Sequence, residues 1–424
     1  MRTLVSKILS KEESPEKVDW LTSLRESQKK LLLSASFPSK RNEKWKYTSL
    51  DNLYKQDLKL PNEYTSNLKN ILSQSNELEL TVKNKKLYLA NGHLNKSLST
   101  INTQLKGLKI SQLRDLKNKE RYYFSERAKE SSLQQFFPRL NLVTFREGLL
   151  IETSSDSEIE ECLHIIHVGS DEPGSFNSPR LLFKVGNSSK LTVVEEFLDV
   201  TSSVTNSVTD IKIEKNAKFM HHRIIRNTDA STHIGTITAN VDQEGCYKSD
   251  SIVVEGGLTR IDIDVKLEEQ NASAMLTGLY PGKNSELIDH HIVVNHKSSN
   301  TKSSQLYRGV MNDKSKGIFN GKIAVAKNIY GVDSNQYNNN ILLSDTAEVY
   351  TKPELEIYSD DVKCAHGATI GELDEQAIFY MRSRGISEAD AKDLLLDGFL
   401  SEISSNVPVK DLNRLITTKL RAKH

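Results

Sequence analysis

The sequence predicts a mainly β fold, with a parallel β-helix core and α-helical segments at both ends. From about residue 140 to 365, short segments rich in Val, Ile, Leu and Thr alternate with polar turns, a pattern typical of short strands. In the same region one kind of turn recurs, in which a polar residue and then a small residue precede the return to a strand. The small residues are at positions 189, 217, 245, 272, 315 and 347.

The spacing of these turns favours a solenoid. The small residues are separated by 28, 28, 27, 43 and 32 positions, and the short period fits one coil of two or three strands with no room for a helix. We interpret the two longer steps as later coils with insertions, and we expect each small residue at a tight corner between stacked coils. An antiparallel sandwich is disfavoured, because Asn320-Gly321 is the only Asn-Gly hairpin signal in the region.

Apolar residues at helical spacing mark the N-terminal end. Trp20, Leu24 and Leu31 fall on one side of a predicted amphipathic helix between residues 19 and 36. Residues 125–135 are expected to form the last helix before the β region. Between them, the segment 38–50 (PSKRNEKWKYTSL) places a Trp and a Tyr among charges, and we interpret it as a turn that anchors a helix to the body of the protein.

The C-terminal end is also predicted to be helical. Residues 374–384 begin with acidic and end with basic side chains, which matches the helix dipole, and Gly385 suits the position just after a helix. Leu395, Phe399 and Ile403 mark one face of the next helix. We expect a partner surface or the end of the solenoid to bury that face.

These patterns divide the chain into three predicted units. Residues 1–138 form a mostly helical N-terminal domain, residues 139–368 form the parallel β-helix core, and residues 369–424 form a C-terminal helical domain. With 424 residues, the chain is long enough to bury a sizeable core.

Composition argues against several classes of partner. Lys and Arg number 57 against 56 Asp and Glu, so the net charge is +1 and no global field attracts nucleic acid or an anionic membrane. Apolar runs fall far short of the roughly 20 residues that a membrane helix needs. The acidic N-terminal region resembles neither a secretory signal nor a transit peptide. We therefore expect a cytoplasmic protein that binds neither nucleic acid nor membrane.

The sequence contains little that points to catalysis or to a self-contained metal site. Its three cysteines, Cys162, Cys246 and Cys364, are too few for a disulfide framework, a zinc ribbon or a four-cysteine cluster site. Neither Gly282-Lys283 nor Gly321-Lys322 is followed by the Ser or Thr of a Walker A motif. We therefore expect no enzyme activity, and we expect any bound metal to be transient or shared with a partner.

Two histidine pairs fail as ligand sites on geometry. His221-His222 and His290-His291 are adjacent residues in strand-like segments, so the side chains of each pair point to opposite faces. His290 and His296 would share a face, but they would lie roughly 20 Å apart in a continuous strand. We interpret these histidines as polar or core residues of the sheets.

Two pairs of cysteine and histidine are better placed. Cys162 with His164 and Cys364 with His366 are each two positions apart, which puts both side chains on one face of a strand about 7 Å apart. Thiolate and imidazole are suitable ligands for iron–sulfur chemistry and for soft or borderline metals. Spacing alone does not rank the two pairs.

A long segment near the C-terminus resembles a known family. Residues 352–386 read KPELEIYSDDVKCAHGATIGELDEQAIFYMRSRGI. The ordered elements KPELEI, DDVKCAHGAT, LDE and FYMRSRGI closely resemble the C-terminal signature of the SufB/SufD family of SUF iron–sulfur cluster assembly, in its SufD version. The segments HHIVVNHKSSNTKSSQLYRGV, IFNGKIAVA, ILLSDTAEVYTKP and KRNEKWKYTSL are similar to other parts of the family.

The resemblance implies a fold, partners and a role. The core would be a right-handed parallel β-helix that pairs with the β-helix of a SufB-like paralogue, with a homodimer possible when the chain is alone. The C-terminal helices would bind a SufC-like ABC ATPase. The chain would be a scaffold that binds no cofactor stably and shares a transient iron–sulfur cluster with its partner at the interface.

The resemblance also implies site residues. His366 matches the histidine thought to face a cysteine of the SufB partner where the cluster forms, and Cys364 matches the neighbouring cysteine. Cys162 and Cys246 match nothing functional. The helices expected to bind the ATPase carry Phe379, Tyr380, Arg382, Arg384, Leu395 and Phe399.

Two alternative functions are weaker. A SufB-like main cluster acceptor would need more than the three cysteines present. A β-helix enzyme acting on carbohydrate would need clustered carboxylates and usually a secretion signal, and the sequence shows neither. The sequence leaves open the cluster type, whether Cys364 is a ligand or a bystander, and whether a flavin binds the assembled complex.

Overall fold

A computed structural model describes residues 8, 19–61, 68, 71–72, 78–100, 104–132, 135–170 and 172–421. Most of this part of the chain forms short strands. The strands are β1 (Asn84–Ala90), β2 (His93–Leu94), β3 (Gln104–Leu105), β4 (Leu108–Gln112), β5 (Gly148–Thr153), β6 (Cys162–Val168), β7 (Phe176–Asn177), β8 (Arg180–Val185), β9 (Lys190–Leu198), β10 (Val204–Ile213), β11 (Lys218–Arg226), β12 (Thr232–Val241), β13 (Cys246–Glu255), β14 (Leu258–Leu267), β15 (Ser273–Gly282), β16 (Leu287–His296), β17 (Lys302–Met311), β18 (Lys316–Val325), β19 (Val332–Leu342), β20 (Glu348–Ile357) and β21 (Val362–Gly371).

From β8 onward, consecutive long strands alternate between two sheets. Sheet 1 has the order β2-β1-β6-β9-β11-β13-β15-β17-β19-β21. Sheet 2 has the order β20-β18-β16-β14-β12-β10-β8-β5-β4-β3, with β7 paired to β10. From β5 and β6 onward, neighbouring strands within each sheet are parallel. The chain therefore winds through a parallel solenoid of about eight turns, and the predicted β-helix core is confirmed.

The length of each turn corrects one interpretation of the sequence. From β5 to β21, residues paired in adjacent coils are 26 to 32 positions apart, so the insertion inferred from the 43-residue step is wrong. Positions 189, 217, 245 and 272 precede strands of sheet 1, whereas positions 315 and 347 precede strands of sheet 2. The 43-residue step therefore connects a corner before a sheet 1 strand with a corner before a sheet 2 strand. The position that continues the first series is Thr301, which precedes β17 and is fully buried.

The recurring turn is a tight corner, as the sequence predicts. Its polar residue has a φ of 53 to 60° in the first four corners, at Ser188, Asn216, Glu244 and Asn271. The small residue that follows is enclosed by the stack: Ala217 and Ala272 are fully buried. At Gly245 an added Cβ would lie 2.8 Å from Cγ1 of Val241. A bulky side chain at these positions would separate the coils.

The lumen between the sheets is mainly apolar. Inward side chains of both sheets form one continuous buried cluster along the solenoid. A polar layer interrupts it where Glu195 accepts hydrogen bonds from His221 and His167. A second polar layer lies in later coils, where Gln336 donates a hydrogen bond to Gln305.

Helices cover the outer faces of both sheets. Their bounds are α1 (Asp19–Ser34), α2 (Asp51–Lys55), α3 (Asn118–Ser132), α4 (Phe136–Thr144), α5 (Glu375–Ser383), α6 (Glu388–Ser404) and α7 (Leu412–Arg421), with 3-10 turns at Glu43–Trp45 and Leu113–Asp115. The α4 helix packs on the β10 and β12 strands of sheet 2 and supports α1. Within the described part of the chain, no helix is long and apolar enough to cross a membrane.

The N-terminal region contributes more than helices to the fold. Strand β1 pairs with β6 and extends sheet 1, and strand β4 pairs with β5 and extends sheet 2. The region predicted to be mostly helical therefore also closes the first coil. The division of the chain into three domains stays a prediction.

The C-terminal helices pack against the side of the solenoid. The side chains of α6 and α7 form a buried cluster with outward residues of sheet 1, such as Val194, Ile224 and Ile252. The expectation that the end of the solenoid buries these helices is therefore not met. The fully packed stripe of α6 runs through Leu396 and Leu400, whereas Leu395 and Phe399 are half-buried at its edge.

The aromatic N-terminal segment is clamped onto sheet 2, which confirms its interpretation as an anchoring turn. The Arg260 guanidinium lies 3.8 Å from the centroid of the Trp45 ring. The Thr48 hydroxyl donates a hydrogen bond of 2.5 Å to Asp289, whose carboxylate also pairs with Arg260 at 2.8 Å. The Tyr47 ring stacks on Tyr350 of β20 at 4.3 Å, so the anchor reaches the last coil.

The corner geometry gives a stability prediction. Glu244 is exposed and has a φ of 58°, a conformation that costs a residue such as Glu about 1 kcal/mol more than Asn. Glu244→Asn is therefore expected to raise the free energy of unfolding by up to about 1 kcal/mol. Denaturant unfolding followed by circular dichroism measures the change.

Gln243→Asn is the matched control, because Gln243 precedes the strained position and lies outside the positive-φ set. It is expected to leave the free energy of unfolding unchanged or slightly lower. An equal gain from both substitutions, or none from Glu244→Asn, would contradict the assignment of strain to this corner.

Candidate functional site

The solenoid ends in an uncovered coil. Strand β21 pairs with β19, and strand β20 pairs with β18. Within the described part of the chain, no further strand continues either sheet beyond them. Their outer edges therefore present backbone N–H and C=O groups that have no strand partner, together with the inward side chains that a next coil would cover.

Register places both candidate ligands in this open coil. In β19 the even-numbered residues from Val332 to Asn340 are the buried, inward ones. Cys364 pairs with Ser334 and His366 pairs with Gln336, so both side chains belong to inward columns. Cys364 is half-buried and His366 is exposed, because no further coil of the described residues lies above them.

The facing strand supplies an apolar surround. Phe319 and Gly321 face the lumen from β18, and their register partners in β20 are Thr351 and Pro353. Ile370 of β21 is 48% exposed, although its partner in the coil below is buried. The inward positions of the open coil are mostly apolar and include Val349, Pro353, Leu355, Ile357, Val362, Ala368 and Ile370.

Chemically, Cys364 and His366 supply two of the side-chain types that bind metals and iron–sulfur clusters. An imidazole and a thiol two residues apart lie on one face of a strand, about 7 Å from each other. Partial burial, with a smaller contribution from the charge of Asp333, raises the pKa of the Cys364 thiol. The thiol is therefore mostly protonated near neutral pH. Among the described residues, no group of three or more His, Cys, Asp or Glu side chains could hold a metal ion.

The other pair of cysteine and histidine is part of the protein core. Cys162 is 2% exposed beneath the C-terminal helices, and burial raises the pKa of its thiol to about 12. His164 is fully buried, with Nε2 2.9 Å from Oε2 of Glu196. The structure therefore ranks the two pairs, which spacing alone could not do.

The adjacent histidines point to opposite faces of their strands, as predicted. His221 faces the lumen and lies 2.9 Å from Glu195, whereas His222 on the outer face lies 2.6 Å from Asp250. His290 faces the lumen beside Ser251. These imidazoles contact neighbouring polar groups of the sheets, and Nδ1 of His290 has no hydrogen-bond partner among the described residues.

The residues predicted to bind an ATPase fall into two groups. Phe379 and Tyr380 of α5 are 74% and 60% exposed, and the Arg384 guanidinium lies 5.3 Å from the centre of the Tyr380 ring. Arg382 is also exposed, 3.2 Å from Glu388. By contrast, Leu395 and Phe399 are half-buried, and Phe399 packs under Arg308. The exposed side chains of Phe379, Tyr380, Arg382 and Arg384 therefore form an aromatic and basic surface at α5.

Sequence reasoning missed the residues beneath the candidate ligands. Gln336 lies directly below His366 in the same column, and Asp333 influences the Cys364 thiol. The signal that could have found Gln336 is the length of one coil. Residues paired in β19 and β21 are 30 positions apart, so the residue 30 positions before His366 lies beneath it. That signal becomes usable only when the register of the solenoid is known.

Comparison with known proteins identifies the family. The family model described as "SUF system FeS cluster assembly, SufBD core domain" matches residues 167–399, which covers more than half of the chain. The chain belongs to the SufBD family. The SufBD match includes the open coil with Cys364 and His366, as well as α5 and most of α6.

SufBD proteins from bacteria match nearly the whole chain. An iron–sulfur cluster assembly SufBD family protein of Synechocystis is 26% identical over 92% of this chain and 88% of its own length. The iron–sulfur cluster assembly protein SufD of Escherichia coli is also 26% identical, over 92% of this chain and 90% of its own length. The chloroplastic protein ABCI7 of Arabidopsis is 29% identical over 56% of this chain and 50% of its own length.

The contrast between the cysteines of this SufBD chain is directly testable. Because labelling needs an accessible thiol, and Cys162 is 2% exposed whereas Cys364 is only half-buried, maleimide at pH 7.5 is expected to label Cys364 more than about 10-fold faster than Cys162. Mass spectrometry of tryptic peptides resolves the two sites. Labelling of the urea-unfolded chain is the control, and there the two rates should converge. Equal rates in the folded chain would contradict the placement of either cysteine.

Proposed function

We propose that this chain is a SufD-type scaffold subunit of the SUF machinery. It pairs with a SufB-type subunit through the open end of its solenoid and binds a SufC-type ATPase through its C-terminal helices. In this proposal it acts in the cytoplasm and has no catalytic turnover of its own. The single observation that carries the proposal is the open last coil, which presents His366 and Cys364 as an incomplete ligand set.

The end of the solenoid is suited to a partner with a similar end. Two strand edges with unpaired backbone groups can continue their sheets only onto other strands. The inward positions of the open coil are mostly apolar, so a second solenoid end would bury both surfaces at once. A SufB-type end is favoured over a second copy of this chain, because it would supply the thiolates that one Cys364 does not.

The chemistry of the half-site suits a scaffold that must release its product. An imidazole and a protonated thiol bind iron less tightly than a closed set of four thiolates would. In this proposal the nascent cluster is cargo, held between His366 and a cysteine of the partner. Cluster stability would then depend on the contact between the two subunits, and separating them would release or expose the cargo.

The C-terminal helices have the contacts needed to transmit motion. The Phe379 and Tyr380 side chains are free to bind a partner, whereas α6 and α7 are fixed to sheet 1. Lys419 of α7 lies 2.7 Å from the buried Glu286 carboxylate, and Arg308 of β17 packs over Phe399 at 4.8 Å. We propose that ATP-driven movement of the bound ATPase turns the whole solenoid as a rigid body.

Loss of the imidazole tests the assembly site. His366→Ala is expected to lower the rate of cluster formation in the reconstituted complex by more than roughly 10-fold, since loss of even an outer hydrogen-bond partner costs a metal site about that much. The rise of the cluster absorption band measures the rate. Lys363→Ala, an exposed change on the outward face of the same strand, is the control. Wild-type rates for His366→Ala would reject the site.

Loss of the exposed rings tests the ATPase surface. Because aromatic anchors of an interface each contribute about 2 kcal/mol, Phe379→Ala combined with Tyr380→Ala is expected to weaken ATPase binding by more than roughly 100-fold. Isothermal titration calorimetry with the purified ATPase measures the Kd. Tyr122→Ala removes a ring that is 70% exposed on α3 and should not change the Kd. Unchanged binding by the double variant would assign the ATPase to another surface.

A further inference from the structure

A column of buried amides lies directly beneath His366. Gln305 of β17, Gln336 of β19 and His366 of β21 are consecutive register partners along sheet 1. Both glutamines are 0% exposed, and Nε2 of Gln336 donates a hydrogen bond of 3.1 Å to Oε1 of Gln305. Within the described residues, Oε1 of Gln336 has no hydrogen-bond partner.

An unpaired buried amide oxygen requires an explanation. Burying a polar group without a hydrogen bond costs free energy, so nearly all buried amides in proteins are paired. The neighbouring inward amides of β19 are paired, because Asn338 and Asn340 each accept a hydrogen bond at the side-chain oxygen. A Leu or Met in place of Gln336 would fill the same space without the penalty. The free oxygen of Gln336 therefore indicates a partner that arrives later.

The facing strand is shaped around the Gln336 amide. Gly321 of β18 lies across the lumen, and a Cβ added there would be 1.5 Å from Nε2 of Gln336. A larger residue at 321 would therefore have to displace the Gln336 amide from its present position. The Gly321 backbone and Gln305 therefore fix Gln336 from two sides, and its free oxygen is held in a defined place.

His366 is the next residue in the column toward the open end. Adjacent strands of a sheet are about 4.8 Å apart, so a ring N–H of His366 is within reach of an acceptor on the residue below. In the uncovered end, water can satisfy the exposed imidazole. When a partner covers the end, water is excluded, and the ring N–H then needs an acceptor from the protein.

We propose that Gln336 is a positioning residue for His366. When the end is covered, Oε1 of Gln336 accepts a hydrogen bond from one ring N–H of His366. That bond fixes the tautomer and directs the lone pair of the other ring nitrogen outward to the cargo. The inference rests on the proposed function for the identity of the cargo, but the hydrogen bond itself does not.

The first test is a set of matched variants in the reconstituted complex. Gln336→Met removes the acceptor and keeps the size, and it is expected to lower the rate of cluster formation about 10-fold. Gln336→Glu retains an acceptor oxygen at the same reach but loses the Nε2 donor to Gln305, so its rate is expected to lie between those of the wild type and Gln336→Met. Asn338→Ala removes another fully buried amide from the same strand, beneath Ala368, and is the control for general loss of lumen polarity.

A double-mutant cycle separates positioning from stability. If Gln336 acts through the imidazole, Gln336→Met should have no further effect on the rate when His366 is already Ala. Equal losses in both backgrounds would overturn the proposal. If Gln336→Met does not fold, Gly321→Ala displaces the same amide from the opposite side and should reproduce the 10-fold loss. A wild-type rate for Gly321→Ala would then count against Gln336.

The second test reads the imidazole directly. Nitrogen NMR of the complex with 15N-labelled histidine, assigned with His366→Ala, is expected to show a single tautomer for His366. In Gln336→Met the same resonances should show exchange between the two tautomers. Identical spectra for wild type and Gln336→Met would overturn the inference. If the tautomer changes while His366→Ala forms clusters normally, the inference survives and the proposed function fails.

Discussion

The structure depends on one constraint, which is that each coil of the solenoid is buried by the next coil. Parallel strands in register stack equivalent residues into columns, so an inward side chain is covered only when another coil lies above it. This requirement is met at every coil from β5 and β6 to β18 and β19. At β20 and β21 it is not met, and residues that belong to inward columns become a surface.

That single break explains why the candidate ligands are accessible. His366 and Gln336 occupy the same column, yet one is exposed and the other is fully buried. The difference comes only from position in the stack. The His164 imidazole, by contrast, is covered by neighbouring structure and held by Glu196. Exposure of a polar residue at the end of a stack is therefore a property of the fold. It favours covering of that residue by another chain over covering by a conformational change of this chain.

Much of the fold could be predicted from the sequence, because its signals are local. A polar residue at a positive φ and a small residue that tolerates close packing recur at four successive corners, as at Asn216 and Ala217. What the sequence does not show is which sheet follows a given corner. The 43-residue step was misread for that reason, since Thr301 fills a corner without looking like the others.

The site was harder to predict from the residues, for the same physical reason. Cys162 with His164 and Cys364 with His366 have equal spacing, and only the position of each coil in the stack separates them. The resemblance to the family pointed to the second pair, and the register gave the physical cause. Gln336 belongs to no local sequence pattern, because it is next to His366 only in the folded solenoid, where the two residues are register partners one full coil apart.

The distance between the helices and the open end suggests how the parts act together. The C-terminal helices contact strands β13 and β15 on the side of the solenoid, whereas the candidate ligands Cys364 and His366 lie on β21. Between them, the strands of sheet 1 are joined by unbroken parallel ladders from β15 to β21. A hydrogen-bonded sheet does not bend easily over three strand spacings, so force on α6 and α7 would move the end as one body. A site completed by two such bodies would open or close through their relative orientation, with no rearrangement inside either one.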